Sequence, residues 1–356
     1  MPKRRKITGI DLFSGAGGMS LGAQWAGIDV VLAIEKDVHA AMTYKLNHKK
    51  THVVIDDIQN VDSVPIRANV NTAKVLFGGI PCQGFSYSNQ KSRNKQNKGN
   101  WLLKEFVRWA SIWCPDWVIF ENVSGFMGTE GGLFFEILRS SLDEKKYECS
   151  WFFANAKEFG VPQNRSRFFL IASKHGHKFA EPKATGNDIT VGQALSDLPV
   201  LMNGANINYL EYGNVRPSDY ALLLRKKLTG CTGHLVTKNA DYIIERYKHI
   251  PQGGNWENIP KNLMTNYTDS SRCHTGIYRR LDCDKLAVTI GNYRKNMLIH
   301  PHEHRGLSVR EAARLQSFPD DYIFSGSIGF QQQQVGNAVP PLLAKAIFDM
   351  ITDKEI

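Results

Sequence analysis

The chain has 356 residues, 42% of them hydrophobic and 22% charged, enough to bury one large core and a smaller second domain. No apolar run reaches the roughly 18 residues that span a bilayer, and the basic start Met1-Pro2-Lys3-Arg4-Arg5-Lys6 lacks a signal peptide's apolar stretch, so an intracellular protein is expected. The net charge of +10 points to a polyanion such as nucleic acid, because lysines and arginines that displace counterions drive such binding; a merely basic soluble protein is the competing reading.

In chain order, residues 6–172 read as alternating strands and helices. Apolar runs at Ile7–Phe13, Val30–Ile34, Val53–Ile55, Val75–Phe77, Trp117–Phe120 and Phe168–Ala172 predict buried strands, with helices over 18–27, 37–47 and 101–113. This alternation predicts a parallel sheet covered on both faces, with ligands beyond the carboxyl ends of its strands. From about residue 174 the chain turns rich in Gly, Asn, Thr and Tyr, which predicts an irregular domain or insertion. Order returns near Leu286–Ile290. Ser308-Val309-Arg310-Glu311 is a capping box, and a last helix is expected over about 341–351.

The first strand ends in Asp11-Leu12-Phe13-Ser14-Gly15-Ala16-Gly17-Gly18. Glycines there let a ligand approach the backbone, and a helix N-terminus offers free N–H groups. Glu35 ends the second strand, where an acid grips ribose hydroxyls. Asp57 follows the third and is suited to an adenine amine, with Ile58 beside it. A tight turn alone explains the glycines less well than a nucleoside site does. Ser20 stands where a dinucleotide fingerprint has its third glycine, which disfavours NAD and suits a ligand without pyrophosphate, such as S-adenosylmethionine.

The fourth strand leads into Gly78-Gly79-Ile80-Pro81-Cys82-Gln83-Gly84-Phe85-Ser86, a setting for a nucleophilic cysteine. The other five cysteines form no C-x-x-C pair, so neither zinc nor a disulfide framework is expected; Cys114 and Cys149 read as core fillers. His300-Pro301-His302-Glu303-His304 matches no common zinc spacing and reads as a solvated loop. Glu121 ends the fifth strand and is a candidate acid. Arg165 and Arg167 precede the sixth.

With these motifs the chain resembles the C5-cytosine DNA methyltransferase family, chiefly its bacterial restriction–modification members. The resemblance covers everything except roughly 174–275. It rests on Asp11–Gly18, Gly78–Ser86, Glu121-Asn122-Val123, Gln163-Asn164-Arg165-Ser166-Arg167, Arg310-Glu311-Ala312-Ala313-Arg314-Leu315-Gln316-Ser317-Phe318-Pro319 and Gly336–Pro340. It implies a Rossmann-like α/β methyltransferase domain that uses S-adenosylmethionine, with a small irregular target recognition domain. The expected boundaries are 1–173 catalytic, 174–296 recognition, and 297–356 catalytic again. It implies that Cys82 adds to C6 of a flipped cytosine, building electron density at C5, while Glu121 delivers a proton to N3. Arg165 and Arg167 would serve the flipped base. Phe13 would stack on the adenine, Ser14, Gly15, Gly17, Gly18, Glu35, Asp57, Ile58 and Pro81 would line the cofactor site, and Asn337 would help close it.

The polar segment Tyr87–Asn100, with Lys91, Arg93, Lys95 and Lys98, is expected to close over DNA, Ser86 and Arg93 among its contacts; a solvated loop is the alternative. Thr289-Ile290 matches the family's Thr-aliphatic pair, which makes Thr289, Arg294 and Asn296 DNA-binding candidates, with the loop Thr268–Thr275 as a second base-reading candidate. Arg294 and Lys295 as phosphate contacts is an equal reading. The expected partner is double-stranded DNA, with a restriction endonuclease acting separately. The protein is expected to be monomeric, cytoplasmic and at the nucleoid. The alternative is C5 methylation of RNA. The tRNA-methylating branch typically carries Cys-Phe-Thr in its recognition region, and this chain has none. A binding module without catalysis and a dehydrogenase fit the motifs less well.

Overall fold

The structure, a computed structural model, describes residues 5–63, 72–86, 93–265, 276–291, 293 and 297–355. The chain forms two compact units: Met1–Phe159 with Ser166–Thr185 and Val339–Ile356, and Gly160–Arg165 with Gly186–Ala338. Residues 297–338 therefore belong to the same unit as the stretch that begins at Gly186, and the chain rejoins the first unit only from Val339.

In chain order the first unit contains β1 (Ile7–Leu12), α1 (Gly18–Trp25), β2 (Asp29–Glu35), α2 (Val38–Asn47), β3 (His52–Ile55), β4 (Ala73–Gly78), α3 (Leu103–Trp113), β5 (Trp117–Asn122), α4 (Leu133–Glu144), β6 (Glu148–Asn155) and β7 (Ser166–Ser173). The second has α5 (Val191–Leu195), β8 (Asn206–Glu211), α6 (Asp219–Arg225), β9 (Gly230–Leu235), α7 (Asp241–Lys248), α8 (Val309–Leu315) and α9 (Ile328–Asn337). α10 (Pro341–Thr352) closes the first.

The seven-stranded sheet runs β3-β2-β1-β4-β5-β7-β6. The first five strands are parallel; β7 and β6 are antiparallel to their neighbours, so the sheet is mixed rather than wholly parallel. β6 had no counterpart among the expected strands. It is an edge strand whose inward residues Ser150, Phe152 and Ala154 alternate with the exposed Trp151 and Phe153, and alternation marks a half-buried strand less loudly than a continuous apolar run does. α3 places Leu103, Phe106, Trp109, Ala110 and Trp113 on one buried face. It ends at Cys114 in the left-handed conformation (φ 48°). Cys114 is exposed, not a core filler; Cys149 is half-buried, and burial pushes its thiol up to about 12.

The register positions the site. Leu12 lies opposite Ile34 and Gly78, and Gly78 opposite Phe120. The residues one step beyond this row therefore sit along the sheet's carboxyl edge, and they include Phe13, Glu35, Gly79 and Glu121. β1 joins β2 on one side and β4 on the other, so the topological switch falls between β1 and β4, where open sheets of this kind bind ligands. Close approach at this point needs glycine. A Cβ on Gly78 would lie 2.0 Å from the Leu12 carbonyl oxygen, and Gly78 has φ 147°. Behind the sheet, a Cβ on Gly22 of α1 would lie 2.5 Å from Cβ of Ala344 in α10.

In the second unit, α8 is closed by the expected capping box between Ser308 and Glu311, and every residue of the helix is buried, including Arg310, Glu311 and Arg314. Arg314 binds Asp197 at 2.8 Å and Asp320 at 2.6 Å. Arg305 binds Glu311 at 2.6 Å and also pairs with Glu303. Burial alone would raise the Glu311 carboxyl, but the Arg305 guanidinium overrides it and holds it at about 2. His300 is buried rather than solvated, its Nδ1 accepting from the backbone N–H groups of His302 and Glu303.

Candidate active site

The loop after β1 is held from within the first unit. Phe13 has φ 56°, a left-handed conformation uncommon outside glycine and one that clusters at ligand sites. The Gly15 N–H donates to Oε2 of Glu35 at 2.7 Å, and the Asp37 N–H donates to Oε1 at 2.7 Å. Glu35 thus braces the loop across the β1–β2 boundary; burial raises its carboxyl, partly offset by those two backbone donors. Gly17 is the N-cap of α1 at φ 89°, and among the described residues no side chain caps the helix. The first-turn N–H groups of Gly18 onward are therefore left without a capping side chain. The Ser14 hydroxyl is buried without a hydrogen-bond partner among the described residues. A buried polar atom of this kind, at a glycine loop on the switch point, fits a ligand that supplies a hydrogen-bonding group. Asp57 caps the short turn Ile58–Asn60 and pairs with Lys36 at 2.6 Å. Hydrogen bonding to Lys36 holds its carboxyl below the usual range. Ile58 is buried, and its carbonyl accepts from Arg108.

Beneath this loop lies a chain of polar groups that the sequence reading missed. Tyr44 of α2 donates to Oγ of Ser20, and Ser20 donates to Oδ2 of Asp11, each at 2.6 Å and all buried. Burial pushes the Asp11 carboxyl up to about 8, against the Ser20 bond and with a further push from Glu35. Ser20, read in the sequence only as a missing glycine, ties the first strand to two helices.

The second half of the site hangs on β4, β5 and β7. Cys82 opens a 3-10 turn, Cys82–Gly84, after the exposed Pro81. Its carbonyl accepts from the Phe85 and Ser86 N–H groups, each at 3.0 Å. Phe85 is fully buried and meets Phe126 and Phe134 edge-on. Asn122 binds this loop to β5: its Nδ2 donates to the Ile80 carbonyl at 3.1 Å while its Oδ1 accepts from Val123. Glu121 pairs with Arg167 at 3.1 Å, both side chains largely buried. Arg167 reaches it because β7 is antiparallel: the start of β7 lies at the same edge as the end of β5. Gly79 makes room, since a Cβ there would lie 2.6 Å from Oε2 of Glu121. The first unit therefore brings Cys82, Glu121, Arg167, Phe13 and Glu35 to one edge of one sheet.

Other candidates lie in the second unit. Arg165 is buried and donates to the carbonyls of Ile290, Gly336 and Ala338 at 2.8–3.0 Å. In this geometry it holds backbone together. Thr289 is exposed, its hydroxyl donating to the Asn164 carbonyl at 2.7 Å, beside an open groove of about 560 Å³ that also includes Asp188, Asp284 and Lys285. Asn337 is the exposed last residue of α9. Arg93 donates to the Gly125 carbonyl and the Thr129 hydroxyl. Arg294, Asn296, the loop Thr268–Thr275 and residues 87–92 lie outside the described residues. Among the described residues no cluster of three or more His, Cys, Asp or Glu could hold a metal, and no helix is long and apolar enough to cross a membrane.

Comparison with known proteins places this geometry in context. The family model for C-5 cytosine-specific DNA methylase matches residues 7–353. The chain is 35% identical to the type II methyltransferase M1.HphI of Haemophilus parahaemolyticus, over 97% of this chain and 86% of that protein. It is 31% identical to the type II methyltransferase M.DdeI of Desulfomicrobium norvegicum, over 96% and 88%. Among solved structures, a DNA modification methyltransferase encoded within an E. coli prophage superposes with a TM-score of 0.78 at 25% identity, covering 98% of this chain and 99% of that one.

Proposed function

The chain belongs to the C-5 cytosine-specific DNA methylase family and is a DNA (cytosine-5-)-methyltransferase, and from that premise we propose how its residues carry out the transfer. The methyl donor is S-adenosylmethionine, bound by the loop Phe13–Gly18 with Glu35 toward the ribose, Asp57 and Ile58 toward the adenine, and Pro81 and Asn337 at the margin. When bound, it supplies an electrophilic methyl group. The Ser14 hydroxyl and the start of α1, neither with a side-chain partner among the described residues, support this site.

The chain's own chemistry is nucleophilic. The Cys82 thiolate forms a bond to C6 of a cytosine turned out of the duplex, and the C5–C6 π pair becomes available at C5. Glu121 handles the proton at N3, oriented by Arg167. After C5 has gained its methyl group, water takes the C5 proton, the N3 proton returns to Glu121, and elimination expels the Cys82 thiolate and restores the double bond. The observation that carries this reading is the carboxyl-edge row, with Cys82 and the Glu121–Arg167 pair on adjacent strand ends.

Base reading is assigned to residues 174–296, with Thr289, Arg294, Asn296 and Thr268–Thr275 as candidates. Ser86 and Arg93 are assigned to phosphates, in keeping with a net charge of +10. Arg165 is assigned a positioning part, bracing the backbone at Ile290 and Gly336. A monomer at the nucleoid, with a restriction enzyme acting separately, completes the proposal.

Two measurements test it. Glu121→Gln is expected to slow single-turnover methylation by about 10²–10⁴-fold, as removal of a general acid does, with DNA binding nearly unchanged; an unaltered rate removes Glu121 from the chemistry. Calorimetry with S-adenosylmethionine and a chelator is expected to show binding that Glu35→Ala weakens. Binding that requires a divalent metal contradicts the site.

A further inference from the structure

We propose that Asn100 is a positioning residue for the nucleophile, tying the turn that carries Cys82 to residues 93–95. The inference rests on Cys82 being the nucleophile.

Asn100 is completely buried. Its Nδ2 donates in two directions, to the Asn94 carbonyl at 3.0 Å and, in a longer bond, to the Gly84 carbonyl at 3.4 Å. Gly84 is the last residue of the Cys82 turn. Asn94 lies in a stretch that is itself pinned. The Lys95 N–H donates to Oε1 of Glu130, Trp101 Nε1 donates to the Lys95 carbonyl, and Arg93 reaches Gly125 and Thr129. That stretch packs on the turns that directly follow Glu121-Asn122-Val123. One amide therefore joins the nucleophile's turn to residues 93–95, which Arg93 and Lys95 in turn hold against Gly125, Thr129 and Glu130.

The contact also accounts for the glycine after Gln83. A Cβ on Gly84 would lie 1.8 Å from Oδ1 of Asn100, so any side chain there must push the Asn100 amide aside. Oδ1 itself has no hydrogen-bond partner among the described residues and rests against the Gly84 backbone. The geometry requires asparagine. Two N–H donors must reach two carbonyls; a carboxylate offers none, leucine offers none, and glutamine places its amide one methylene farther out. Phe85, wedged between Phe126 and Phe134, fixes the turn on one side; Asn100 fixes it on the other. A misplacement of about 1 Å at a reacting atom can cost on the order of 10²-fold in rate.

The test uses the whole protein, a duplex substrate, and the variants Asn100→Asp, Asn100→Ala and Gly84→Ala. Asn100→Asp removes the donors at nearly constant shape. Gly84→Ala pushes on the same contact from the other side, so the pair does not depend on one variant's folding. Each is expected to lower the single-turnover rate and the rate of covalent trapping on 5-fluorocytosine DNA about 10–100-fold, with S-adenosylmethionine affinity by calorimetry and DNA affinity unchanged. The rate of Asn100→Asp relative to the parent protein should recover as pH falls, because the protonated acid regains a donor, while its S-adenosylmethionine affinity stays constant over the same range; a purely structural part would move both together. Rates equal to the parent's overturn the proposal. So does a fall in rate that merely follows loss of thermal stability and cofactor affinity. Cys82→Ala, run alongside, separates the two readings: if it still methylates, the nucleophile assignment fails and this inference with it; if it is dead while the Asn100 and Gly84 variants are normal, only this inference fails.

Discussion

The two units bury carboxylates in opposite ways. In the first, Asp11 sits under the glycine loop and accepts from Ser20, which in turn accepts from Tyr44, and burial drives its carboxyl up to about 8. In the second, Glu311 and Asp320 face guanidinium groups, and the arginines hold both below their ordinary range despite burial. The first unit has a large apolar core on its sheet, from Ile10 and Leu12 through Phe120 to Leu170. The second, with a two-stranded sheet and the small cluster around Tyr247, Tyr278 and Ile299, organises α8 through Arg305, Arg310 and Arg314. A sheet of seven strands aligns its strand ends by register and leaves its buried acid without a cation, so burial raises it. A unit of short elements fixes its backbone with ions.

The largest effect expected from this contrast comes from removing Arg314. Arg314→Leu leaves Asp197 and Asp320 buried without their shared cation, and breaking a buried pair in this way costs about 3–5 kcal/mol. Urea unfolding should show it; a loss under about 1 kcal/mol would put these pairs on the level of surface ones. The next test is the sign of the pH dependence. Glu311 has a folded value of about 2 against an ordinary 4.5, so its contribution is present above about 4.5 and is lost as pH falls toward 2. Asp11 has a folded value of about 8 against an ordinary 3.8. The folded state then binds the extra proton, and stability declines as pH rises from about 4 to 8. Asp11→Asn should abolish the alkaline decline and leave the acid one; thermal unfolding across pH measures both. Should Asp11→Asn leave the whole profile intact, the contrast between the units is wrong. The smallest effect is Tyr44→Phe, which removes one bond to Ser20 and should cost about 0.5–1.5 kcal/mol.

Much of the catalytic edge was legible in the sequence, because parallel strands buried on both faces appear as continuous apolar runs and their carboxyl ends carry the motifs. Cys82, Glu121 and Glu35 could be placed at one edge from this alone. The reach of Arg167 could not, since it depends on β7 being antiparallel, and nothing local to Ser166–Ser173 marks direction. Nor could the burial of Arg165, whose carbonyl partners lie more than a hundred residues away. β6 was lost because its outward residues include Trp151 and Phe153, which break the polar half of the alternation. Tyr44, Ser20 and Asn100 carry no motif; they become visible only when their partners are brought to them.

The central claim is that Cys82 attacks cytosine. Duplex DNA with 5-fluorocytosine at the methylated position tests it most directly, because fluorine at C5 cannot leave as the proton does and the enzyme stays attached. The account predicts a complex that survives denaturation with the parent protein and S-adenosylmethionine, and none with Cys82→Ala. A Cys82→Ala protein that still forms the complex, or still methylates ordinary DNA, would contradict it.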